Sequence, residues 1–225
     1  MKEQKEIVRW SSLIAVIGLL MGVVGEWKID RLLKIDKILI KVLPVVMGHR
    51  TFFVELCIGI FTGALLSVGI GVLSYFAQKQ EMLFHYAMKL LDHVQRVNLF
   101  GCHYFDHRLS IDECIYKIEH SKKLLDDILE LETSYAELAE IRKGLSMFTQ
   151  KTRVKKKISE TFELAGAVNG DVTKIVKLYN NPSLSIEKKQ KYVNLFALEN
   201  GNSSKFSDSV EDFRKMIGLE IEFPN

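Results

Sequence analysis

The chain has 225 residues and carries 31 Lys or Arg against 28 Asp or Glu, a formal net charge of +3. Charge this close to balance argues against a dedicated nucleic-acid binder, which shows a strong basic excess. Its three cysteines, Cys57, Cys102 and Cys114, are too few for a disulfide framework and lack zinc-site spacing, and proline at only three positions points to helices throughout.

Met1–Arg9 is short and polar. Trp10–Trp27 follows, an apolar segment with a tryptophan at each end, where aromatic belts sit at a bilayer interface. It holds Gly18 and Gly22, a pair of small residues four apart. A cleaved signal peptide is the rival reading, but no A-x-A-like site follows, so the segment is expected to be a first membrane span. Lys28–Leu43 cannot span. Arg31, Lys34, Lys37 and Lys41 fall on one side of a helix and Leu32, Ile35, Leu39 and Leu43 on the other, which predicts a basic amphipathic helix, in the headgroup plane or packed on the bundle, stopped by Pro44 and Gly48.

Phe52–Phe76 has 25 residues and one formal charge, Glu55. At about 1.5 Å per residue it reaches roughly 37 Å, enough for a ~30 Å hydrocarbon core. Gly59, Gly63, Ser67 and Gly71 recur every fourth residue, a spacing that lets helix backbones approach closely in lipid. With Gly18 and Gly22 they are the candidate helix-packing and oligomer interface. Glu55 lies near the start of the span, either at headgroup level or in a polar ring at a pore mouth. Lys and Arg counts on the two sides nearly cancel. The unpaired cysteines favour a reducing compartment, so the soluble part is expected in the cytosol, below a multi-pass inner-membrane anchor.

Beyond Phe76 no Pro or Gly interrupts the chain until Gly101, and Leu83, Ala87, Leu90, Leu91, Val94 and Val97 repeat at helical spacing. One helix over 52–100 would join the span to the soluble part. Ser110–Glu113 has capping-box spacing and predicts the start of a helix. Ser134–Glu137 has the same spacing and predicts another start, with Asn169-Gly170 as its stop. Short helices are expected over Asp171–Tyr179 and Ser185–Leu198, and a last one capped at Asp208 and ending at Gly218. The tail from Leu219 alternates like a strand. The domains are therefore 1–76, a transmembrane hairpin with spans at about 10–27 and 52–76, and 77–225, a helical soluble domain. The fold class is all-α.

Cys102, His103, Asp106 and His107 are the nearest approach to a metal constellation, but no second cluster completes a tetrahedral set. Lys151, Arg153, Lys155, Lys156 and Lys157 form the densest basic patch, either a solvated helix flank or a site for nucleotide phosphates, nucleic acid or anionic lipid. No phosphate loop accompanies it, and no hydrolase, zincin or kinase motif occurs anywhere, so no catalytic residue, metal or cofactor is expected and the chain does not read as an enzyme.

Two spans with paired small residues, a basic loop and a compact helical domain resemble the small membrane effectors of bacterial anti-phage systems, both those that accompany retrons and the ancillary effectors of type III CRISPR systems. The resemblance lies in the layout of Trp10–Phe76 and the size of the remainder. It implies a toxin held silent until infection, whose spans then oligomerise to permeabilise or depolarise the inner membrane. The partners it implies are the lipid bilayer, further copies of the chain, and a regulatory protein, nucleic-acid complex or nucleotide ligand at the soluble domain. A membrane-anchored adaptor, with the spans as a simple tether, is the alternative.

Overall fold

The computed structural model describes residues 10–18, 50–197 and 201–219. Gly22, the amphipathic stretch 28–43 and the strand-like tail after Leu219 lie outside the described residues. Within them there are seven helices and no strand, so the all-α class holds. By its contacts the chain divides into two compact units, Met1–Gln78 and Lys79–Asn225.

In the first unit residues 10–18 form a helix, α1, with Ala15 and Gly18 buried. The long helix α2 runs Arg50–Tyr104, 55 residues without interruption. No proline falls within it, so every interior N–H keeps its partner four residues back. Within Ile58–Tyr104 it is long and apolar enough to cross a bilayer, and only 6% of its most apolar stretch is buried. Two spans were expected and one helix qualifies among the described residues.

The second unit is a bundle. Its helices are the Lys79–Tyr104 part of α2, α3 (Ile111–His120), α4 (Leu124–Ser146), α5 (Thr152–Asn180), α6 (Ile186–Ala197) and α7 (Asn202–Ile217). α4 runs antiparallel to α2. Lys89 pairs with Glu137, His93 with Ser134 at 2.9 Å and Arg96 with Glu130 at 3.1 Å, the numbers falling on one helix as they rise on the other. α7 is also antiparallel to α2, since Tyr86 meets Phe213 and His93 meets Phe206, both edge to face. α5 returns alongside, and the Tyr86 hydroxyl donates to the Ile158 carbonyl at 3.3 Å. α3 and α6 close the far end, where Phe196 packs on Phe100 and Phe105.

The expected stripe on α2 faces this core: Ala87, Leu90 and Val97 are buried and Leu83, Leu91 and Val94 pack against them. Ser110 caps α3 as a full capping box with Glu113. Four boundaries differ from expectation. Gly101 does not stop α2, because a helical Gly costs only about 1 kcal/mol, and the Phe196 ring packs close by, 3.5 Å from where a Cβ would stand. Ser134 starts no helix, because α4 passes through it and its hydroxyl bonds to His93 rather than to its own backbone. Asn169-Gly170 stops nothing. Asp171 is buried in mid-α5 and accepts from Lys174 at 2.8 Å and from Asn202 at 2.7 Å, so the helix continues to Asn180. α7 starts at Asn202, well before Asp208, and does end at Gly218 with φ 73°. There Leu219 N–H bonds back to Arg214 and Gly218 N–H to Lys215, a left-handed closure that glycine makes without strain.

Candidate functional site

The small residues of the apolar helix fall on two faces. Phe61, Ala64, Val68, Gly71 and Tyr75 are covered in whole or part, spaced three and four apart. Gly59, Gly63 and Ser67 are exposed, and a methyl built on Gly59 or Gly63 would meet nothing within 4 Å. The split has a simple cause. Four residues turn an α-helix through about 400°, so a row at that spacing drifts by about 40° per step. Between Gly59 and Gly71 the drift is about 120°, which carries Gly71 onto the covered stripe and leaves Gly59 nearly opposite it and Gly63 well to one side. Gly18, on α1, is buried.

The open face carries polar groups that satisfy themselves. Thr62 donates to the Ile58 carbonyl at 2.9 Å and Ser67 to the Gly63 carbonyl at 2.9 Å. Back-bonded hydroxyls of this kind tolerate lipid and leave the backbone free for close approach. Around them Leu66 and Ile70 are 68% and 64% exposed, large apolar side chains that water would not favour. Glu55 is exposed as well.

The basic patch is divided. Lys151, Arg153, Lys155 and Lys156 are exposed. Lys157 is largely buried and turned to Asp212 at 3.1 Å and Glu160 at 3.7 Å, so it belongs to the seam between α5 and α7. The groove beside it, about 480 Å³, is lined by Lys157, Lys205 and the carboxylates of Glu160, Glu163, Asp208 and Asp212, which repel an anion.

The Cys102–His107 corner has no ligand geometry. The backbone N–H and the guanidinium of Arg108 hold the Asp106 carboxylate and keep its pKa below the usual carboxylate range. His107 is almost fully exposed. No group of three His, Cys, Asp or Glu among the described residues is placed to hold a metal. A cleft of about 430 Å³ between α2 and α4 is lined by Asp92, Arg96, His103, Lys123, Asp127 and Glu130. Arg96 is tied there to Asp92 and Glu130, and Lys123 lies 3.9 Å from Asp127.

The sequence reading missed the polar groups of the core. His93 is 1% exposed; its Nδ1 meets the Ser134 hydroxyl and its Nε2 is buried without a partner among the described residues. Burial lowers its pKa to about 4. Lys189 is buried against Glu119, joining α6 to α3. Tyr86 is fully buried, and that burial raises its pKa to about 12. His93 was findable, because it stands seven residues after Tyr86 and three after Leu90, on the same buried stripe.

No protein-family model matches the chain, and no characterised protein or solved structure shows detectable similarity to it.

Proposed function

We propose that this chain is a membrane-embedded effector. Its apolar helices oligomerise in the bacterial inner membrane and permeabilise or depolarise it when the helical soluble domain is triggered or released. The observation that carries the reading is the exposure of Gly59, Gly63 and Ser67, a row that begins opposite the covered stripe of α2 at Gly59 and winds towards it. A small-residue face without a covering helix is what a second copy needs for backbone contact in lipid. The covered positions Ala15 and Gly18 on α1 and Ala64 and, in part, Gly71 on α2 are small residues of the kind a two-span hairpin would enclose.

The test is membrane potential in bacteria on induction, with and without the triggering partner. Wild type is expected to collapse the potential and Gly63→Leu to spare it at equal membrane abundance. Potential and growth left intact by wild type under every condition would refute the effector reading. The second reading, a membrane-anchored adaptor, draws on the same face, since glycines that touch nothing and hydroxyls bonded to their own helix suit lipid equally. It requires that an unrelated anchor in place of residues 1–76 preserve activity.

A further inference from the structure

The two ends of the bundle in the second unit are built differently. At one end Met82 of α2 lies against Gly144 near the close of α4. Tyr86 reaches both Ile158 near the start of α5 and Phe213 near the close of α7. This is the end that carries Lys79, three residues past Phe76. Its outer surface is the α4–α5 connection.

From Glu140 to Lys157 the sequence places seven Lys or Arg against the single carboxylate of Glu140. Lys143 bonds that carboxylate at 2.6 Å and Lys157 is taken up by α7. Lys151, Arg153, Lys155 and Lys156 remain exposed and without an ion pair among the described residues. α5 begins with no side-chain cap and no acidic residue in its first turn, so its unbonded N–H groups add positive potential at the same place. Met147, 55% exposed, projects between Lys143 and Lys151 in the chain. Phe148 beside it is buried, so no ring is offered to a nucleic-acid base. Exposed cations around one exposed apolar side chain match a bilayer interface, which takes an apolar group below the phosphates.

We propose that this end of the bundle rests on an anionic lipid surface, with Lys151, Arg153, Lys155 and Lys156 among the phosphates and Met147 in the headgroup layer. The inference depends on the reading of Phe52–Phe76 as a span. The contact holds the start of α5 on the membrane and gives the soluble domain a charge-dependent resting position.

The test uses the full chain in phosphatidylcholine nanodiscs, with and without added phosphatidylglycerol, and amide hydrogen exchange over residues 147–157. Anionic lipid should slow exchange there about fivefold or more, the attachment expected of a single cation at such a surface. High salt, or joint substitution K151Q, R153Q, K155Q and K156Q, should abolish the slowing, while exchange in α6 stays constant and reports that the bundle is folded. A chain that enters both discs but exchanges identically in them overturns this inference alone. A chain that enters neither overturns the span reading and this one together. Equal protection by glycerol phosphate, or by an RNA oligonucleotide in neutral discs, would assign the patch to a soluble anion and overturn the lipid contact.

Discussion

Acid should loosen the bundle through His93. Burial penalises its charged form and sets its pKa at about 4, against 6.5 in the unfolded chain. Asp92 opposes that effect and Arg96 adds to it, while the partners from α4 and α7 are Ser134, Tyr135 and Phe206. A histidine with a depressed folded pKa binds its proton more tightly when unfolded. Its contribution is therefore complete above pH 6.5 and is lost as the pH falls towards 4. The full loss is about 3 kcal/mol, with about 2 kcal/mol already gone at about pH 5. For a domain of this size that is about 4–8 °C in the melting midpoint. The assay is thermal unfolding of the full chain in a nonionic detergent at about pH 7 and about pH 5. His93→Gln keeps a partner for Ser134 and does not titrate. Wild type should lose more midpoint than His93→Gln between the two conditions, and the difference isolates His93 from the exposed carboxylates. Equal losses would refute the assignment of a buried, neutral imidazole.

Lys189→Met should cost about 3 kcal/mol by leaving Glu119 charged and half enclosed, and Glu119→Leu added to it should restore most of the loss, both read from the melting midpoint. Asp171→Ala should cost about 2 kcal/mol and speed amide exchange at the start of α7, where Asn202 loses its acceptor. Ser110→Ala removes the hydroxyl that accepts from the Glu113 N–H, leaves the Ser110 backbone N–H to Glu113, and should cost about 1 kcal/mol, with faster exchange confined to the first turn of α3.

The long helix was legible because its signals are local: no proline from Arg50 to Tyr104 and an apolar stripe at helical spacing. Ser110 was legible for the same reason, its partners lying within three residues. Ser134–Glu137 has the same letters at the same spacing and means something else, because a buried histidine on another helix takes the serine. Asn169-Gly170 reads as a stop until Asp171 is seen to find Asn202 thirty-one residues on. Such pairings leave no mark in a local window. The glycine row was half legible. The four-residue spacing is visible in the sequence, but its drift around the helix decides which members face out, and only the covered stripe of Ala64 and Gly71 fixes that orientation. The basic patch was visible as composition, and its division at Lys157 was not.

Oxidative cross-linking of single cysteines in native membranes, on a background in which Cys57, Cys102 and Cys114 are all replaced by alanine, examines the oligomer interface most directly. A cysteine at Gly63 should join two copies, and one at Leu65, exposed but on another side of the helix, should not. Failure at Gly63, or equal cross-linking at both positions, would contradict association through the open glycine face.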